Sequence, residues 1–198
     1  MDAQTISVVI AVAVALVILI TVFVPGANLL REQADPHSKF SFSKFQLWCW
    51  TLVICPCVSL HWGWNHTHSG FDYINATSLI LLAISGTTTL TSSAIKQVQM
   101  SAKNADPGYL KAKGLTTLKV DAESAGFWPD ILSDDSGQIS IARLQNLVFT
   151  IIFLAIYIIV FFTCDKMDYV DFGAAGSHPY ILMGISSGTY LLARGMFK

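Results

Sequence analysis

Charge is scarce in this chain. Only 13% of its 198 residues are Asp, Glu, Lys or Arg, against 53% hydrophobic, and mean hydropathy is +0.55. That is too little charge to cover a soluble globule of this size. A basic excess is missing too: 12 Lys+Arg against 13 Asp+Glu leave a net charge of −1, so nucleic acid is excluded as a partner. There is no cysteine framework. Cys49, Cys55, Cys57 and Cys164 lie in or beside apolar stretches, without the spacing of a disulfide scaffold or a zinc module.

What is present is a series of long uncharged runs. Ile6 to Val24 holds 19 residues without a charge, enough to cross a hydrocarbon core of roughly 30 Å. The start Met1-Asp2 and the end Val24-Pro25-Gly26 lack the basic start and small-residue cleavage site of a signal peptide. Further runs cover 45–64, about 73–95, 144–163 and about 179–193, giving five expected spans. As drawn, none contains Asp, Glu, Lys or Arg. Proton relays, coupled carriers and intramembrane acid/base enzymes need ionisable groups at depth, so the sequence points to no catalytic residue, no enzyme and no cofactor.

Positive charge then sets the orientation. Arg31, Lys39, Lys44, Lys96, Lys103, Lys111, Lys113, Lys119, Arg143, Arg194 and Lys198 fall on one side of the expected spans, and only Lys166 on the other. The expectation is an inner (plasma) membrane protein with its N-terminus outside and its C-terminus in the cytoplasm. Trp48 and Trp50 near one end of the second span, and Trp62 and Trp64 near the other, suit interfacial aromatic belts.

The chain also resembles itself. SFSKFQLWCWTLVI from Ser41 recurs as SIARLQNLVFTIIF from Ser140, an offset of 99, and ILLAISGTTTL from Ile80 recurs as ILMGISSGTYL from Ile181, an offset of 101. Two matches at nearly one offset argue for a repeated helical hairpin. Both copies enter from the same side, so they are parallel repeats related by an axis along the membrane normal. The expected architecture is an all-α polytopic transmembrane bundle. It comprises a leading helix (1–30), a first hairpin repeat (41–95), a cytoplasmic connecting segment (96–139) and a second hairpin repeat (140–198).

DILSDDSGQISIARLQ from Asp130, YILMGISSGTYL from Tyr180 and the first-copy ISGTTTL together resemble a widespread family of small bacterial polytopic membrane proteins. The resemblance covers roughly residues 41 to 191. It departs at Leu192-Ala193-Arg194, where the family tends toward Gly and a Lys. It implies the fold and a bacterial origin, and no activity.

The candidate functional residues are uncharged. Ser85, Thr88, Thr89 and Ser92 follow helical spacing of three and four, and Ser186 and Thr189 sit at the matching depth of the fifth span. Their hydroxyls read equally as the lining of an aqueous path or as packing groups bonded back to a carbonyl. Ala83, Gly86, Gly184 and Gly188 read as small residues for close helix packing. Gln46 and Gln145 occupy matched places as hydrogen-bonding glue, and Ser43 with Gln46 has capping-box spacing. No metal site is expected; His66 and His68 are weak candidates that need a third ligand. Asp134-Asp135-Ser136-Gly137 imitates the middle of a calcium loop, but Leu132 and Arg143 then stand where carboxylates must ligate. A turn, with Ser140 capping the fourth span, is the reading. Phe127-Trp128 belongs to a connecting stretch expected to lie on the bilayer or on a neighbouring subunit.

The partners expected are the lipid bilayer, further copies of the chain and a cytoplasmic protein. The leading functional expectation is a homo-oligomeric pore or channel-like effector; its rival is a non-conducting anchor or scaffold for a soluble partner. The orientation has a direct check. In a background without native cysteines, a cysteine at Ser69 is expected to react with a membrane-impermeant thiol reagent added to sealed cells, and one at Ser101 is not. Labelling at Ser101 alone would invert the topology.

Overall fold

The computed structural model of the chain describes residues 3–24, 28–33, 35–64, 76–106, 108, 123–133, 138–163 and 178–195. Among these it is all-helical: α1 (Ala3–Phe23), α2 (Phe42–Trp64), α3 (Ala76–Ala105), α4 (Phe127–Leu132), α5 (Ile141–Thr163) and α6 (His178–Gly195). Four helices, over Gln4–Phe23, Phe42–Gly63, Ala76–Ala105 and Ile141–Thr163, are long and apolar enough to cross a membrane. A helix satisfies its own backbone polar groups, which is why uncharged runs take this form in hydrocarbon. The remaining expected span forms α6, whose 18 residues include His178 and Arg194 at its ends, so that its uncharged run is only residues 179–193. Helix α3 runs to Ala105, beyond the uncharged stretch that ends before Lys96.

Helices α2, α3, α6 and α5 touch in that cyclic order and close a four-membered ring, while α1 packs chiefly on α2. Each ring helix buries one stripe at a spacing of three and four residues, the mark of a helix with one inward face. On α5 the stripe is Arg143, Asn146, Leu147, Thr150, Phe153, Tyr157 and Phe161. On α3 it is Ser78, Leu81, Ser85, Thr88 and Ser92. Outward positions are large and apolar, among them Val17, Ile20, Ile151, Ile159 and Ile185, as lipid contact requires. The ring interior holds two separate apolar clusters. One contains Trp50, Ile54, Leu81, Phe153, Tyr157 and Met183, and the other Phe42, Ile131, Leu147 and Tyr190.

The connecting stretch does not lie free on the bilayer where it is described. Residues 123–133 fold under the ring. Phe127 meets Phe40 and Phe45 edge-on at 5.2 and 5.3 Å, and Ile131 is buried in the second cluster. Trp128 alone of that pair stays exposed. Gly126, at φ 117°, turns the chain into α4 in a conformation that side chains rarely adopt. Antiparallel bridges Arg31 to Phe40, Ser38 to Glu123 and Ser133 to Ile139 tie the connections together. Basic side chains fasten them by donating to backbone carbonyls: Lys44 to Arg31 at 2.7 Å, Arg31 to Ser38, Lys96 to Glu32 and Arg143 to Ser133. The residues read as a turn, 134–137, lie outside the described ones. Ser140 does start α5, its carbonyl accepting from Leu144 N–H at 3.0 Å.

Asp130 joins the two connections. It is 1% exposed, and its carboxylate accepts from Phe40 N–H at 3.1 Å, Ser124 Oγ at 2.6 Å and Ala125 N–H at 3.1 Å. Asp130→Ala leaves these donors without their acceptor and is expected to cost about 1–3 kcal/mol, seen as a lower unfolding midpoint in detergent and faster proteolysis near residue 124. Asp130→Asn, which keeps one accepting oxygen, should fall between. An unchanged midpoint for the alanine variant would show that the carboxylate is dispensable.

Candidate functional site

The expected hydroxyl stripe on α3 turns into the chain's own ring. Ser85, Thr88 and Ser92 are 0%, 2% and 2% exposed. Thr88 donates to its own helix at Ile84 O, 2.7 Å, and Ser92 Oγ lies 3.3 Å from the Tyr190 hydroxyl of α6. Thr89 leaves that face: its hydroxyl lies 3.0 Å from the Ser43 carbonyl of α2 and 2.9 Å from that of Ser85. On α6, Ser186 is buried, whereas Thr189 is exposed and bonds back to Ile185 O at 2.8 Å.

The two glutamines part company. Gln46 is fully buried and its Nε2 donates to the neighbouring helix α5, to Asn146 Oδ1 at 3.2 Å and Thr150 Oγ1 at 3.1 Å. Thr150's own hydroxyl donates to Asn146 O at 2.8 Å, so Thr150 accepts from Gln46, and this fixes which way the amide points. Gln145 is exposed. A helix turns about 100° per residue, and the buried stripe of α5 passes through Arg143, Asn146 and Thr150, so Gln145 falls outside it. The Ser43–Gln46 capping box does not form, because Gln46 reaches across to α5. Ser41 precedes the helix instead, its carbonyl accepting from Phe45 N–H at 3.0 Å.

Six buried polar atoms in the ring have no hydrogen-bond partner: Gln46 Oε1, Trp50 Nε1, Ser85 Oγ, Asn146 Nδ2, Ser186 Oγ and Ser187 Oγ. All six lie on the four ring helices. Ser85 lies one turn beyond Leu81, Ser186 and Ser187 lie between Met183 and Tyr190, and Gln46 lies between Phe42 and Trp50. Asn146 and Thr150 lie between Arg143 and Phe153. This polar set draws on all four ring helices and is interleaved with the two apolar clusters: Trp50 itself belongs to the first, and Leu147 of the second follows Asn146 directly in α5. Its groups are neutral: Trp50 and Asn146 supply N–H donors, Gln46 an acceptor, and the serines either. Neutral donors and acceptors of this kind can hydrogen-bond water. Among the described residues no group of three His, Cys, Asp or Glu could hold a metal ion, and His66 and His68 lie outside those residues.

The small residues also settle differently from their spacing. Ala83 and Gly184 are exposed and Gly86 and Gly188 half-buried, and a Cβ built on any of the three glycines meets nothing within 4 Å. Within one chain, these positions are not close helix contacts. Trp50, expected in an interfacial belt, is 0% exposed in the ring interior, edge-on to Tyr157 with centroids 6.4 Å apart. Trp48 instead pins α1, its Nε1 donating to Ile18 O at 3.2 Å. Asn146 and Thr150 join the set without having been expected as site residues, and Trp50 joins it in place of an interfacial belt. For Asn146 and Thr150 the buried period of α5 was the available signal.

Gln46→Leu and Asn146→Leu are each expected to destabilise the ring, and the pair to show a coupling of about 0.6–1.7 kcal/mol in a double-mutant cycle of unfolding in detergent. Strict additivity would mean that the inter-helix bond contributes nothing.

Compared with protein-family models, curated proteins and solved structures, the chain matches none.

Proposed function

We propose that the chain is a channel-like membrane effector whose path runs through its own four-helix ring, with the buried polar set as a hydrated station, rather than along an axis shared between subunits. The observation that carries this reading is the set of six buried polar atoms without partners, drawn from all four ring helices. In hydrocarbon each unsatisfied group costs several kcal/mol (roughly, by transfer measurements), and water entering the ring relieves that cost. Ile54, Leu81, Phe153 and Met183 of the first apolar cluster, and Phe42, Leu147 and Tyr190 of the second, fill the rest of the ring interior. Passage then depends on these side chains parting, as in hydrophobic constrictions that gate by dewetting.

The finer picture is a bacterial inner-membrane protein with five spans, an outside N-terminus and two parallel hairpin repeats around the polar set. Gly184 and Gly188, open on the outer side of α6, support assembly of several copies through that helix. A scaffold is the second reading. What favours it is the platform built from residues 28–33, 35–42, 123–133 and 138–140, which Asp130 and four basic side chains fasten.

Ion flux into liposomes separates the two. Leu81→Ala, which thins the apolar packing, is expected to raise flux several-fold over wild type. Adding Ser85→Ala and Asn146→Leu, which remove polar groups from the set, should return it to background. Flux that stays at background in every variant, with each protein folded and correctly inserted, would retire the channel and leave the scaffold.

A further inference from the structure

A second feature lies outside the ring, in the wedge between α1, α2 and the connection that joins them. A cavity of about 440 Å³ opens there. Ile18, Leu29 and Leu47 give it apolar walls, and Thr21, Thr51 and Thr89 complete them. All three threonine hydroxyls are already engaged with backbone carbonyls: Thr21 with Ile18 at 2.5 Å, Thr51 with Leu47 at 2.8 Å, and Thr89 with Ser43 and Ser85. Trp48, also in the wall, spends its N–H on Ile18 O. The cavity therefore offers a ligand almost no hydrogen bond from its walls.

Lys44 is the exception. It stands in the lining and donates to Arg31 O at 2.7 Å, which uses one of the three N–H bonds of an ammonium. The wedge sits where α1 ends and α2 begins, two helices apolar enough to span, and so at the edge of the hydrocarbon. The flank of α1 beside it is lipid-facing, with Val17 62% and Ile20 56% exposed. An apolar cleft at that level with one cation at its rim matches an amphiphile with an acyl chain and an anionic head, as basic pockets between helices at the headgroup level do. We propose that this cavity is a binding site for an anionic phospholipid, one acyl chain lying along Ile18, Leu29 and Leu47 and the phosphate on Lys44.

The test uses the full chain purified in a neutral detergent, with dioleoyl phosphatidylglycerol and dioleoyl phosphatidylcholine as probes. Native mass spectrometry reads the bound lipid, and the shift in unfolding midpoint reads its effect. Wild type is expected to prefer the phosphatidylglycerol, and Lys44→Gln to lose about fivefold of that preference, the worth of one lysine near an anionic headgroup. Thr51→Phe, which fills the cavity while keeping Lys44, is expected to weaken both lipids together. Equal binding of the two lipids by wild type, or an unchanged preference in Lys44→Gln, would overturn the headgroup assignment. Lipid binding untouched by Thr51→Phe would overturn the acyl site, as would a dimer of this chain that forms through the wedge and excludes lipid. None of these readouts depends on ion flux, so the lipid site and the channel stand or fall separately.

Discussion

In hydrocarbon no water is available to complete a polar group, and everything else in this structure follows from where its polar atoms find partners. Most hydroxyls on the spanning helices solve the problem locally. Thr51, Ser59, Thr88, Ser93, Thr150 and Thr189 each donate to the carbonyl four residues earlier, a bond that needs no neighbour and fits any helix face. Others solve it between helices, as Ser78 with Tyr157 at 2.8 Å and Gln46 with Asn146 and Thr150. What remains among the described residues is Gln46, Trp50, Ser85, Asn146, Ser186 and Ser187, buried on all four ring helices among the two apolar clusters.

The same rule governs the membrane edge. Helix termini leave carbonyls without intrahelical partners, and the connections between helices add more. Here basic side chains meet several of them, with Lys44, Arg31, Lys96 and Arg143 donating to carbonyls of the connecting segments. Arg143 does this from inside a buried stripe, with its guanidinium 5.5 Å from the Tyr190 ring centroid, which is how a cation can sit at the base of the ring. These contacts are also why residues 123–133 fold against the bundle, although that stretch is too short to form a core of its own.

The helical class and four of the spans were legible in the sequence, because uncharged length is a one-dimensional property. The inward or outward sense of a given residue was less so. Hydroxyl spacing correctly grouped Ser85, Thr88 and Ser92 on one face, yet spacing carries no information about whether that face meets a subunit axis or the chain's own ring. The glutamine match concerns position only: burial follows helix rotation, so Gln46 is buried and bonded to Asn146, whereas Gln145, one residue before it, is exposed within the chain. Trp50 misled because tryptophan is common at interfaces, and its depth is set by the ring that closes around it.

The self-similarity of the chain also bears on the make-up of the polar set. Ser85 and Ser186 correspond in the alignment of the two hairpins, and both are buried without partners. Both come from helices that touch in the ring, α3 and α6, and the groups on α2 and α5 differ. Trp50 of α2 brings a large indole into the ring, while its counterpart one offset along α5 is Phe149, half-buried beside the stripe. Helix α2 thus contributes an aromatic whose N–H is unsatisfied, and α5 contributes Asn146 and Thr150 with an unsatisfied amide. Gln46 of α2 meets Asn146 and Thr150 of α5, where donor and acceptor match, and the other donors and acceptors of the set stay buried without partners.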